Sequence, residues 1–207
     1  MNKTINKYST AFTSGSLLFK ESEAFILSIN DAKDFMAGRE LVSYNCIPVN
    51  SETSKKRLSR EIRKRLLNLK NDKFIELYLS SSRLDKHLIL FYSFTKTYQI
   101  VVDFMFETVL SKWYNLDLEV NSDDFQNFIY KQMDSHQELE SLTVNTQKKL
   151  SQVAIRALSE LGILKGNQLQ KLDFDHQVLK SIALNGDSWF LELVFLNENE
   201  RKEIIEE

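Results

Sequence analysis

Apolar residues recur at three- and four-residue intervals along most of this chain, and few stretches alternate in the manner of a strand. Leu17, Leu18, Phe25, Ile26 and Ile29 predict a first helix capped by Ser14 or Ser16. A short piece follows to about Ala37, and Gly38 is its stop. Residues 41–50 hold the only proline, Pro48, and read as a loop. Ser51 or Thr53 then caps a second long helix to about Lys70, with Leu58, Ile62, Leu66 and Leu69 on one face. Asp72 starts a further helix through Phe74, Ile75 and Tyr78. Asp85 starts a long central helix whose residues 88–113 are hydrophobic around most of the circumference, the mark of a buried helix. After a polar loop at 115–122, a helix carries Phe125, Phe128, Ile129 and Met133.

The pattern changes after Met133. Residues 136–142 read as a short helix, and Val144 and Asn145 lead into an amphipathic helix whose apolar stripe is Leu150, Val153, Ala154, Ala157, Leu158 and Leu161. Gly162 stops it. Leu169, Leu172 and Phe174 predict a short strand, and Asp175 and Asp187 cap two last helices around 178–184 and 189–196. The closing ENERKEIIEE is expected to fray. The reading is a mainly α protein in two parts: an N-terminal helical bundle over residues 1–134, and a small C-terminal part over 135–207 with the outline of a helix-turn-helix and a wing.

Composition supports this and narrows the setting. Only one proline and five glycines interrupt the chain, and the apolar and charged fractions, 43% and 27%, are those of a folded globular protein. The single cysteine, Cys46, excludes an internal disulfide framework and a Cys-rich zinc site. The polar N-terminus has no apolar signal core, so a cytoplasmic location is expected. Lys96, Gln99, Asp103 and Glu107 interrupt the most apolar stretch, which argues against a membrane span. The formal net charge of −2 hides an asymmetry: residues 1–86 carry +6 and residues 87–207 carry −8.

Residues 55–65, KKRLSREIRKR, contain seven cations: Lys55, Lys56, Arg57, Arg60, Arg63, Lys64 and Arg65, with Glu61 as the one acid. Such a stripe suits a phosphate backbone, since each cation near a phosphate releases condensed counterions. It equally suits a solvated face, or an acidic partner within the chain or outside it. At the start of the amphipathic helix, Asn145, Thr146, Gln147, Lys148, Lys149 and Gln152 are the residue types that contact bases and phosphates when a helix enters a groove. The plainer reading there is the polar side of a bundle helix. Catalysis finds little support. His87, His136 and His176 lack metal-ligand spacing, and no phosphate-cradling loop or nucleophile elbow occurs. Asp103 and Glu107, four residues apart, are expected to accept bonds from the basic helix in the core rather than to hold a metal. No cofactor, metal or small-molecule substrate is expected.

Four segments in order resemble the BrxA family of BREX (bacteriophage exclusion) phage-defence systems: YSTAFTSGSLLFKES, SKKRLSREIRKRL, LDKHLILFYSFTKTYQIVVDFMFE and LTVNTQKKLSQVAIRALSELGIL. The resemblance spans nearly the whole chain and rests on order and spacing rather than on any catalytic signature. It implies a NusB-like helical first part, a winged-helix-like second part, and a non-enzymatic double-stranded-DNA-binding component working with other BREX proteins. It places DNA contacts at Lys55, Lys56, Arg57, Arg60, Arg63, Lys64 and Arg65, and a second set at Asn145, Thr146, Lys148 and Lys149. On this reading, charge reversal at Arg60 and Arg63 abolishes binding and leaves the fold intact. The other readings are a protein-interaction adaptor without nucleic acid and an RNA-binding antitermination-like factor.

Overall fold

The structure is a computed structural model and describes residues 7–206. A 3-10 turn at Ala11–Ser14 precedes helices α1 (Phe19–Ile26), α2 (Ala32–Met36), α3 (Glu52–Leu67), α4 (Lys73–Ser80) and α5 (Arg83–Thr97). Next come α6 (Gln99–Phe104), a π-helical stretch Met105–Val109, α7 (Leu110–Tyr114), α8 (Ser122–Gln132), α9 (Gln137–Glu140) and α10 (Val144–Leu161). A hairpin of β1 (Leu164–Lys165) and β2 (Gln168–Leu169) follows, then α11 (His176–Ile182), a π-helical stretch Ala183–Asp187, α12 (Trp189–Leu193) and α13 (Glu198–Glu206). The protein is mainly helical, as the spacing predicts.

The chain forms two compact units that interleave along the sequence. One holds residues 7–16, Tyr98–Leu172 and Leu193–Phe195; the other holds Leu17–Thr97, Asp173–Glu192 and 196–206. Residues 135–172 therefore group with 98–134, not with the rest of the C-terminal part that the sequence pattern sets apart. The single helix expected over 88–113 is broken as well: Tyr98 leaves helical geometry (φ −129°, ψ 88°) between α5 and α6.

In the first unit, α8 and α10 pack together. Phe125, Phe128 and Ile129 of α8 and Leu150, Ala154, Ala157, Leu158 and Leu161 of α10 are buried, and the two alanines allow close approach. Phe104 meets Phe125 and Phe128 with ring centroids 4.7 and 5.6 Å apart, and Phe12 adds contacts to Tyr98 and Phe125. Asn121 and Asp124 form a reciprocal capping box at the start of α8, and the Thr143 hydroxyl caps α10. Gly162, at φ 98°, ends α10, and a Cβ there would lie 3.2 Å from Leu172 Cδ1. The hairpin then pairs Leu164 with Leu169. Its outer strand meets residues 118–120: Leu169 N donates to Leu118 O and Val120 N to Asn167 O, both at 2.8 Å. The order is helix, a segment bridged at Glu119, helix, short helix, long helix, hairpin. The strand expected from Leu169 to Phe174 is shorter and earlier. The tether at the N-terminal end is Tyr8, whose N–H donates to Glu138 (2.6 Å), whose hydroxyl donates to Asp103 (2.6 Å), and whose ring stacks on His136.

The second unit is built around α5, in which every residue from Leu88 to Thr95 is buried. The expected stripe of α3, Leu58, Ile62, Leu66 and Leu69, is buried as well, and α3 packs on α5 and α1. Ser51 caps α3 through Ser54 N, as expected. The first helix, in contrast, starts from Leu18 in the left-handed region rather than from a serine cap, and Asp85 lies inside α5, where it accepts from Ser82 Oγ and Asp175 N. The terminal helix α13 is formed, not frayed. Asn197 accepts from the N–H groups of Asn199 and Glu200, Glu200 accepts in return from Asn197 N, and Ile204 is buried.

One polar knot sits inside this unit. Asp187 accepts from the Tyr92 hydroxyl, from Lys96 Nζ and from Trp189 Nε1, with its side chain 14% exposed. Asn185 donates to Tyr92 Oη and to Leu69 O. Burial pushes the Asp187 carboxyl up, but the bonds from Lys96, Tyr92 and Trp189 outweigh it and hold it below its ordinary 3.8. A carboxyl lowered on folding contributes stability that is complete above its unfolded value and lost as pH falls through the folded one. Asp187→Asn is expected to destabilise the protein by about 2 kcal/mol at neutral pH in urea denaturation. It should also remove Asp187's contribution to the loss of stability expected as pH falls below 3.8, so the variant's stability curve is flatter there than the wild type's.

Candidate nucleic-acid interface

The geometry of α3 sorts its seven cations. The apolar stripe faces inward, so residues on the opposite side project to solvent. Lys56, Arg57, Arg60 and Lys64 are exposed. Lys56, Arg60 and Lys64 follow one another at four-residue steps, a row about 12 Å long at 1.5 Å per residue, with Arg57 beside it. Lys56 is held by Glu52 at 2.6 Å and lies over the Tyr44 ring. Its bond to Glu52 and that carboxylate's charge raise its pKa, so it stays cationic. Arg57 and Arg60 make no hydrogen bond or ion pair among the described residues.

The other three sit differently. Lys55 is half-buried. Arg63 is half-buried too: its guanidinium lies over the Phe35 ring and donates to Glu40 O at 2.9 Å. Arg65 is 3% exposed, paired with Glu61 at 2.6 Å and set over the Phe94 ring. Arg65 is therefore no surface contact, and the acid that looked like an interruption of the stripe is its internal partner. Arg63 is a poor site for charge reversal, because the change would disturb packing as well as charge.

In the first unit, α10 presents Asn145, Lys148, Lys149, Gln152, Arg156 and Ser159 to solvent. Thr146 is half-buried and bonded to the Thr143 hydroxyl, so it belongs to the helix cap rather than to a contact surface. Gln147 is buried and donates to Leu142 O. Arg156, held by Glu160 at 2.8 Å, completes the row, and Lys165 stands exposed on the hairpin. Sequence reasoning left both out, although Arg156 follows Asn145, Lys149 and Gln152 at helical spacing.

Asp103 and Glu107 do not serve the basic helix. Asp103 accepts from Tyr8 Oη and Gln99 Nε2, and Glu107 accepts from Gln132 Nε2. His87 stacks on Phe19, and His136 lies under Tyr8 beside Glu138. Among the described residues, no three His, Cys, Asp or Glu side chains converge to hold a metal ion, and no helix is long and apolar enough to cross a membrane.

A family model described as BrxA matches residues 6–186. A BREX protein BrxA from Bacillus cereus (strain H3081.97) is 27% identical over 192 residues, covering 90% of this chain and 96% of that protein. The crystal structure of an uncharacterized protein from Magnetospirillum magneticum superposes with a TM-score of 0.70 over 91% of this chain and 98% of that one. Its 18% sequence identity makes the likeness one of fold.

Burial separates structural from surface arginines in a measurable way. Arg65→Ala should cost about 3 kcal/mol in urea denaturation, because Glu61 loses its buried partner. Arg57→Ala and Arg60→Ala should leave the urea midpoint where it is.

Proposed function

This chain belongs to the BrxA family, and on that footing we propose that it is a non-enzymatic double-stranded-DNA-binding component of a BREX bacteriophage-defence system, working in the cytoplasm with other BREX proteins. The observation that carries the reading is the row of exposed cations on α3, Lys56, Arg57, Arg60 and Lys64, on a helix whose other face is locked into the core. A rigid row of this kind grips phosphates without reading sequence, and its affinity falls steeply with salt. We read residues 98–172 as the winged-helix part, because α7, the bridging segment at Glu119, α8, α9, α10 and the hairpin follow in that order and α10 holds the position of a recognition helix. The helices of the other unit are then the NusB-like part.

The test is fluorescence anisotropy with a labelled duplex and a labelled single-stranded RNA, each at low and at physiological salt. The expected result is duplex binding that weakens with salt. Arg57→Glu with Arg60→Glu should weaken it at least tenfold and reduce the log–log salt slope by about 2. Duplex binding unchanged in that pair, or RNA bound in preference to duplex, would overturn the assignment.

A further inference from the structure

The exposed face of α10 is not uniformly basic, and its order is informative. The buried residues Leu150, Ala154, Ala157, Leu158 and Leu161 define the inner side. Asn145 and Gln152, seven residues apart, fall within about 20° of each other at 3.6 residues per turn, and both lie about opposite the centre of that inner side. Lys148 and Lys149 fall on either flank of the amides, each about 40–60° away. Arg156 continues the crest toward the C-terminus. Val144, at the first turn, is 60% exposed, with its isopropyl group open to solvent. Neither amide side chain makes a hydrogen bond among the described residues, and neither do the two lysines.

An uncommitted amide carries a donor and an acceptor side by side, which matches N7 and the N6 amino group of adenine in the major groove. Lysines on the two flanks of such a crest match the phosphates that border a groove about 12 Å wide, and a helix of about 10–12 Å diameter enters it. An exposed apolar side chain at the entering end matches the thymine methyl. We infer that α10 is a base-reading helix, with Asn145 and Gln152 reading adenine in the major groove and Lys148 and Lys149 fixing its register on the flanking phosphates. This rests on the DNA-binding reading above and adds a sequence preference to it, for sites containing A·T pairs.

The test is selection of duplexes from a randomised pool by the full-length protein at physiological salt, in parallel with the Asn145→Ala/Gln152→Ala variant. Expected is an adenine-containing motif enriched by the wild type and lost by the variant, whose helical circular-dichroism spectrum and urea midpoint match those of the wild type. Replacing the motif's adenines with 7-deazaadenine removes the N7 acceptor and should weaken wild-type binding about tenfold per contacted base, with no change to the protein's fold. A wild type that binds DNA but enriches nothing, or a motif retained by the variant, overturns this inference and leaves DNA binding standing. A protein that binds no duplex at any salt overturns both.

Discussion

Leu88 to Thr95 of α5 are all buried, and a helix without a solvent face has to be covered from every direction. The second unit follows from that demand. Its helix α3 meets it with Leu58, Ile62 and Leu66, followed by Leu69 just past its end, and the rotation of α3 is set by them. Once that rotation is fixed, so is the fate of each cation on the helix. Arg65 turns inward and needs Glu61, whereas Arg57 and Arg60 turn outward with nothing to hold them. The row of exposed cations is the reverse side of a packing solution.

The two units carry different polar surfaces on similar supports. In both, an amphipathic helix with a side-chain N-cap lies on a helix rich in phenylalanine: α3 on α5, and α10 on α8. The outer face of α3 is mostly charge. That of α10 places amides on its crest and lysines beside them. Charge acts over a Debye length and is blunted by salt, while amides act only at contact and through shape. On the function proposed above, one surface holds DNA and the other reads it.

Helix spacing makes α3 and α10 legible in the sequence because their apolar stripes are regular and Ser51, the cap of α3, sits where its stripe begins, whereas sequence reasoning misses the Thr143 cap of α10. The solvent side of the basic run is legible in part: with Leu58 and Ile62 turned inward, spacing sends Lys56, Arg57, Arg60, Arg63 and Lys64 outward, and all but Arg63 are exposed. Only the i,i+4 step from Glu61 to Arg65 signals an internal pair. The break at Tyr98 left no mark, since no glycine or proline stands there and Phe94 to Phe104 reads as unbroken helix. Membership of a unit was hidden for a further reason. It depends on partners far away in sequence, such as Trp113 stacked on Phe195 with ring centroids 4.3 Å apart, and no local pattern reports them.

That stacking has a consequence for how the protein is made and inherited. The first unit recruits Phe12 from near one end of the chain and Phe195 from near the other, with the second unit's helices threaded between. On the ribosome, Trp113 emerges before Phe195, the residue that covers it, so this stack forms only after the second unit's segments 17–97 and 173–192 have emerged. In the genome, no single crossover point separates one unit from the other. Moving either whole unit into another protein takes more than one crossover.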